Sequence, residues 1–388
     1  GLGGGMLQPL GMAVVFTVVT PLERARYMSL LGLPMVLAPI FGPTVGGFLV
    51  EYSSWRTIFL INIPIGLTNV ALAIWLLRDT PRRIDARLDV RGLALSVIAF
   101  PCLLLGLSFG EQNGWTSPIV GVLLLVGLLA LVVLIRLELH TPDPLLLFAL
   151  FRAPMFRLAM TMNFITQFSL FGMQFLLPLF LQLAHQITPA ETGVVLFPSG
   201  ICAWIAMTAS SRLYNRVGPK PLAMSGLAIM LLASALLSRV TQDTGVVYIG
   251  VLGSMRGFAQ GLAIMPISTM AFNTVPQDKI GKAPSFTNVM FRLFASTSAA
   301  VLTTVLVTSV RIHGAPAGTS ITAGTAPIGA TVAAFSDAFI AMAIMCAIGI
   351  FGAFFLRDAV LDEHRAATAA RAAAPAGFVP SPAAAGEG

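Results

Sequence analysis

Apolar residues follow one another along this chain in long segments, and short connections between the segments hold most of the charged side chains. A helix that spans a bilayer needs roughly 20 apolar residues. The pattern predicts eleven such helices, at about 1–19, 28–50, 56–77, 91–110, 117–137, 155–183, 190–211, 219–238, 246–272, 284–310 and 336–356. Several prolines fall inside these segments, and a bundle in lipid tolerates them better than a soluble helix does.

The composition indicates where such helices reside. Of the 388 residues, 56% are hydrophobic and only 10% are charged, which leaves too little polar surface to coat a soluble globule. We therefore predict an all-α polytopic membrane protein that is embedded in a lipid bilayer.

Basic residues are distributed unevenly between alternate connections. If the chain starts outside, most of its 23 lysines and arginines fall in connections that face inward, as the positive-inside rule describes. This distribution predicts a multi-pass protein of the plasma (inner) membrane with a cytoplasmic C-terminus. The net charge of +7 then reflects orientation next to anionic lipid, and we do not interpret it as nucleic-acid binding.

The residue types that carry most enzyme chemistry are scattered. The 4 histidines and 3 cysteines stand singly, and the sequence has no G-x-x-x-x-G-K-[ST] motif to hold a phosphate. We therefore predict no enzyme activity, no metal and no cofactor. If the chain transports a solute, an ion gradient remains as its energy source. The 16 acidic residues lie in loops, tails or helix ends. A proton-coupling acid is thus expected either upstream of Gly1 or at a helix end, as with Asp337.

The helix at 28–50 has one face almost without side chains. Each glycine in it costs about 1 kcal/mol of helix propensity, a cost that close packing against another helix offsets. The residues of this face are Gly32, Ala38, Pro39, Gly42, Pro43, Gly46 and Gly47. They indicate either a contact along which two halves of the bundle tilt, or close packing within a static bundle.

The helix at 155–183 mixes amide and aromatic side chains. Asn163, Gln167, Phe171 and Gln174 recur at spacings of four, four and three, so they share one helical face. Such a surface suits bulky amphipathic or weakly cationic molecules, because rings provide contact and cation–π attraction while amides donate and accept hydrogen bonds. The face is a candidate substrate pocket, and the alternative is packing between helices.

Arg256 lies about ten residues into another predicted helix, roughly 15 Å along its axis. A charged side chain near the middle of the membrane is costly and is usually functional or paired. We add Arg256 and the nearby Gln260 to the candidate pocket. The alternative is a structural pairing of Arg256 with a carbonyl group or with an acid upstream of Gly1.

Several of these stretches resemble a known family. The small-residue face from Gly32 to Gly47 resembles the antiporter motif in the fifth helix of drug exporters of the major facilitator superfamily. The run that follows resembles the W-R-x-I-F-x-I-N-x-P-x-G stretch of the fourteen-helix drug:proton antiporters of the EmrB/QacA type. Its residues are Trp55, Arg56, Ile58, Phe59, Asn62, Pro64 and Gly66.

A loop at 212–218 resembles the D-R-x-G loop of the superfamily, although it matches that motif only in part. Its residues Arg212, Asn215, Arg216 and Gly218 form a candidate gating loop, with Asn215 where an acid is usual. The resemblance implies helices 4 to 14 of a fourteen-helix transporter, with about three helices missing upstream. The implied parts are the remainder of the N-terminal half (1–80), two linking helices (81–150), the C-terminal six-helix half (151–356) and a disordered cytoplasmic tail (357–388).

The implied function is proton-driven efflux of lipophilic or amphipathic drugs and other small molecules by alternating access. Two alternatives remain open: a dedicated metabolite exporter of the same fold, and a nonfunctional partial transporter or scaffold. The outward loop at 311–335 is long enough to contact a periplasmic adaptor protein, which adds a weak expectation of a protein partner.

Overall fold

The computed structural model describes residues 56–76, 89–141, 144–276, 279–280, 282–314 and 326–356, together with a few isolated positions before 55. The small-residue face from Gly32 to Gly47, the residue Trp55 and the tail 357–388 lie outside the described residues, as do the two helices expected at 1–19 and 28–50.

The described residues form helices and no strands. They are α1 (Thr57–Leu60), α2 (Asn62–Leu76), α3 (Val90–Asn113), α4 (Pro118–His140), α5 (Pro154–Ala184), α6 (Pro189–Val217), α7 (Pro219–Leu237), α8 (Val246–Asn273), α9 (Ala283–Ile312) and α10 (Ile328–Ala353), with a 3-10 helix at Phe148–Arg152. Within this part of the chain, nine segments are long and apolar enough to cross a membrane, counting Thr57–Leu76 as one. They match the nine spans predicted from residue 56 onward, and the all-α polytopic class is confirmed.

Local sequence explains where many of these helices begin. Proline occupies the first or second position of α4, α5, α6, α7 and α9, where its missing N–H costs no helical hydrogen bond. At the start of α6, the hydroxyl of Thr188 accepts from the Glu191 amide while the Glu191 carboxylate accepts from the Thr188 amide. These caps satisfy backbone donors that a helix start would otherwise leave unpaired.

Two helix boundaries differ from the prediction. Helix α6 continues to Val217, so Arg212, Asn215 and Arg216 belong to its last turns and do not form a loop. Gly218 alone connects α6 to α7, because its φ of 95° makes the turn in one residue. Helix α10 begins at Ile328, eight residues before the expected start at 336, because buried residues such as Ala330 and Phe335 pack this first part against the bundle.

Helices α5 and α8 make most of the contacts within the bundle formed by α5 to α10. Helix α8 packs against α5, α6 and α7, while α5 also contacts α6, α9 and α10, and α7 contacts α10. Towards the His185 end of α5 the core is aromatic, with ring centroids of Phe180 and Phe335 5.2 Å apart. Side chains where α5, α7 and α8 meet, such as Ile165, Leu227 and Ala263, are buried.

The α3–α4 hairpin joins this bundle through α9. Helix α3 packs on α9, and the indole Nε1 of Trp115, in the turn after α3, donates to the Thr304 hydroxyl at 2.8 Å. At the opposite end, Phe148 of the 3-10 helix meets Phe286 of α9 edge to face at 5.3 Å. No residue of Thr57–Leu76 is buried against the described residues.

Candidate functional site

Arg256 is the largest fully buried side chain among the described residues, with 1% of its surface exposed. It projects from α8 towards α5 and α7. Its Nη1 donates to the Met230 carbonyl at 3.2 Å and its Nη2 to the Ser169 carbonyl at 3.1 Å. The guanidinium also donates to the hydroxyls of Ser234 and Ser169.

The described residues provide no carboxylate partner for this guanidinium. Its partners are carbonyls and hydroxyls on α5 and α7, and Nε has no hydrogen-bond partner within this part of the chain. The Ser169 hydroxyl lies 3.7 Å from the thiol of Cys346 on α10. Arg256 therefore connects α5, α7 and α8 at one level along the bundle. Helix α10 lies next to this contact. This arrangement corresponds to the alternative given for Arg256 in the sequence analysis, in which the side chain pairs structurally with a carbonyl group.

Side-chain hydrogen bonds continue between α5 and α8 beyond Arg256. The Gln260 amide donates to the Thr166 carbonyl at 3.3 Å. Further along, the Ser268 hydroxyl donates to Oδ1 of Asn163 at 3.0 Å, and the Asn163 amide donates to the Ala159 carbonyl at 3.1 Å. We name as the polar seam the set Asn163, Thr166, Ser169, Arg256, Gln260 and Ser268.

The predicted pocket residues of α5 have graded exposure. Asn163 and Gln167 are buried, Phe171 is half-buried and Gln174 is exposed. Oε1 of Gln167 is buried with no hydrogen-bond partner in the described structure. The structure thus joins Asn163, Gln260 and Arg256 in one seam, whereas Phe171 and Gln174 lie outside it, and contact with a substrate stays a prediction for all of them.

An aromatic group flanks the α5 face. The rings of Phe164 and Phe294 meet at 5.1 Å, with Phe168 and Phe291 each next to one of them at 6.0 and 6.4 Å. Phe291 and Phe294 on α9 are half-buried. We did not predict them as part of the site, although the F-R-L-F run at 291–294 carries the signal.

Helices α6 and α8 touch through their backbones. A Cβ atom placed on Gly257 would lie 2.1 Å from the Ser199 carbonyl oxygen, and one on Gly261 would lie 2.2 Å from the Ala203 carbonyl oxygen. We name these four residues the glycine seam. Its signal in the sequence is the four-residue spacing of Gly257 and Gly261, which permits close helix approach.

The predicted gating residues lie at the turn between α6 and α7. Arg212 and Arg216 are exposed, and the Gly218 amide donates to the Tyr214 carbonyl at 2.8 Å to end α6. The side chain of Asn215 lies outside the described part of the structure. A gating role for these residues stays a prediction.

Asp337 sits deeper than a helix end. It is the tenth residue of α10, because that helix begins at Ile328. Its Oδ2 accepts from the Ser309 hydroxyl and lies 3.9 Å from Nδ1 of His313, the residue that ends α9. The side chains of His313 and Asp337 are 40% and 43% exposed, so neither is enclosed by the described part of the bundle.

These features define a polytopic helical membrane protein built around a buried polar seam, and comparison with known proteins identifies the family. The family model of the Major Facilitator Superfamily matches residues 1–299. The chain therefore belongs to the Major Facilitator Superfamily, a family of transporters rather than enzymes.

Three relatives illustrate the match. The chain is 31% identical over 312 residues to the MFS-type transporter YhcA of Bacillus subtilis, which covers 80% of the chain and 59% of the relative. It is 28% identical over 364 residues to the lincomycin resistance protein LmrB of the same organism, covering 93% and 76%. It is 30% identical over 321 residues to the multidrug resistance protein B homolog of Mycobacterium tuberculosis, covering 79% and 57%.

Proposed function

We propose that this chain exports lipophilic or amphipathic small molecules across the plasma membrane in exchange for protons, as part of a fourteen-helix drug:proton antiporter. The observation that carries the proposal is the buried polar seam of α5 and α8, together with the half-buried Phe171 and the exposed Gln174 that lie beyond it on α5. Relatives named for lincomycin resistance and multidrug resistance support the substrate class.

The surface next to the seam favours an amphipathic substrate. The half-buried Phe164, Phe291 and Phe294 provide ring faces and edges, and the amide of Gln174 donates and accepts hydrogen bonds. Because no acidic residue among the described positions lies beside these groups, binding depends on contact area and cation–π attraction more than on ion pairing. This chemistry accommodates many shapes of solute.

Proton exchange requires a group that titrates while it faces each side of the membrane. Asp337, which accepts from Ser309 and lies beside His313, is one candidate for this group. An acid upstream of Gly1 is the second candidate. In this proposal the face from Gly32 to Gly47 closes the two halves of the transporter against each other, and the turn at Gly218 adjusts as they tilt.

Drug susceptibility tests the proposal directly. The chain, with any upstream helices that its gene encodes, is expressed in a drug-hypersensitive host and challenged with a panel of lipophilic compounds, with and without a proton uncoupler. We expect raised resistance that the uncoupler abolishes. Gln174→Ala and Phe171→Ala should lower resistance to some compounds, whereas Ile344→Ala, at an exposed position on α10, should not.

Three results would contradict the proposal. Unchanged susceptibility despite membrane expression favours an inert or dedicated transporter. Export of a single metabolite without drug resistance favours the dedicated exporter of the same fold. If resistance persists in the presence of the uncoupler, transport does not depend on the proton gradient.

A further inference from the structure

A carboxyl group is buried where the α3–α4 hairpin meets the start of α9. Glu138 lies in the last turn of α4 with 2% of its surface exposed. Neither of its carboxylate oxygens has a hydrogen-bond partner within the described residues. A buried ionised carboxylate without partners is strongly unfavourable, so this side chain requires a cation or a proton.

A second carboxyl group points into the same space. Asp89 caps α3 by accepting from the Gly92 amide through Oδ1 at 2.8 Å, while its Oδ2 is buried and lacks a partner within the described structure. A Cβ atom on Gly92 would lie 2.5 Å from Asp89 Oδ2 and 2.8 Å from Glu138 Oε1. The two unpartnered oxygens therefore converge above Gly92, and a side chain there would displace them.

The surroundings of the pair compensate one negative charge but not two. The Lys282 ammonium, at the start of α9, donates to the Pro144 carbonyl at 2.9 Å and is the nearby positive charge for the Glu138 carboxylate. The backbone amides of Leu145 and Leu146, like this ammonium, favour the ionised form of Glu138, whereas burial and the neighbouring Asp89 oppose it. With one proton, the two carboxyls carry a single negative charge that the ammonium balances. Without it, two negative charges face one positive charge in a poorly solvated place.

Among the described residues, no other charged side chain on the packed elements is buried with the pair. The other charged or titratable residues that the structure describes near these helix ends are exposed: Arg91, Arg136, His140, Arg152 and Lys279.

We propose that Asp89 and Glu138 form a proton-binding site, in which the carboxylic O–H of one residue donates to the unpartnered oxygen of the other. The bound proton lets Glu138 and the Oδ2 atom of Asp89 remain buried and so holds the hairpin on the bundle through Lys282. The site is separate from the polar seam, and its existence does not depend on what the protein transports.

Thermal unfolding of the purified chain at several pH values tests this site. The folded pair keeps a proton that separated carboxyl groups of the unfolded chain release well below neutral pH, so stability falls as pH rises. We expect the wild-type Tm to be about 2–4 °C lower at about pH 8.5 than at about pH 6. Glu138→Gln, whose amide donates as the protonated acid does, should lose this dependence. Asp243→Asn, at an exposed acid, should keep it.

Infrared spectroscopy gives a second measurement that does not depend on any variant folding. The wild-type protein should show a protonated carboxylic C=O band near neutral pH that shifts in heavy water, and Asp89→Asn should remove it. Absence of this band in the wild type overturns the proposal. Equal pH dependence of Tm in wild type and Glu138→Gln also overturns it. If Na⁺ or Mg²⁺ stabilises the wild type at fixed pH but does not stabilise Glu138→Gln, the two carboxyl groups bind a metal cation and not a proton. This result also overturns the proposal.

Discussion

Helix α8 meets its neighbours through two faces that work by different physical means. On the glycine seam, α6 and α8 approach until the carbonyl oxygens of Ser199 and Ala203 occupy the space of absent side chains. On the polar seam, α8 reaches α5 and α7 through long side chains that end in hydrogen bonds. The first contact depends on shape alone, whereas the second depends on the pairing of polar groups.

This difference indicates which face can move. Backbone packing of the glycine type has no adjustable atoms, so α6 and α8 are expected to move together as one rigid pair. Hydrogen bonds from Arg256 and Gln260 can be exchanged for other carbonyl partners at similar distances. If α8 shifts during transport, the shift is therefore expected along the polar seam, and the following substitutions examine both faces in turn.

The largest effect is expected at the glycine seam. Gly257→Ala or Gly261→Ala places a methyl group about 2 Å from a backbone carbonyl, and overpacking of this kind costs about 3 kcal/mol. We expect loss of the folded protein, measured by thermal unfolding in detergent. Gly121→Ala on α4, where nothing lies within 4 Å of the added atom, is the matched control and should be neutral or slightly stabilising. If both glycine-seam variants are as stable as wild type, α6 can move away from α8 and make room for the added methyl group.

A smaller loss is expected when the guanidinium is replaced by an ammonium. Arg256→Lys retains the charge but cannot reach the Met230 and Ser169 carbonyls together, because the ammonium lacks the planar fork. We expect a loss of about 2 kcal/mol in stability, measured by the same unfolding assay. Arg239→Lys, at an exposed position, should change little. If Arg256→Lys is as stable as wild type yet transport fails, Arg256 acts on substrate and not on helix packing.

The next effect isolates one hydrogen bond of the polar seam. Asn163→Leu, Ser268→Ala and the double variant form a mutant cycle around the 3.0 Å contact between these side chains. We expect a coupling energy of about 1 kcal/mol. A coupling near zero would mean that α5 and α8 are held together at this depth by apolar contacts alone.

The two faces also differ in how far sequence reasoning predicts them. Spans could be placed within a few residues because hydropathy and helix-starting prolines coincide, as at Pro154 and Pro219. The interior position of Arg256 followed from its depth in an apolar helix. Its partners could not be predicted, since Met230 and Ser169 contribute backbone carbonyls that no residue pattern marks.

The missed features share a physical cause. Gly257 and Ser199 meet across two helices, and their distance depends on a crossing geometry that one helix alone does not contain. The start of α10 was missed because its Gly, Ala and Thr residues are only weakly hydrophobic. Glu138 was assigned to a helix end, yet tertiary packing at the hairpin buries it.

The smallest expected effect concerns a buried polar group that lacks the pairing seen in the polar seam. His185, just after α5, packs edge to face on Phe180 at 5.4 Å, and its Nε2 has no partner among the described residues. Burial lowers the pKa of His185 below its ordinary value. The folded protein therefore binds fewer protons than the unfolded chain, so stability is lost as pH falls below the ordinary histidine pKa and towards the lowered one.

We expect the wild-type Tm to fall by about 1 °C more than that of His185→Gln between about pH 7.5 and about pH 5.5, because the side chain is only partly buried. His140→Gln, at an exposed position, should behave as wild type. If the Tm of His185→Gln depends on pH as the wild-type Tm does, the charged ring donates to an acceptor in the folded protein. Burial of His185 at this end of α5 then does not lower the stability.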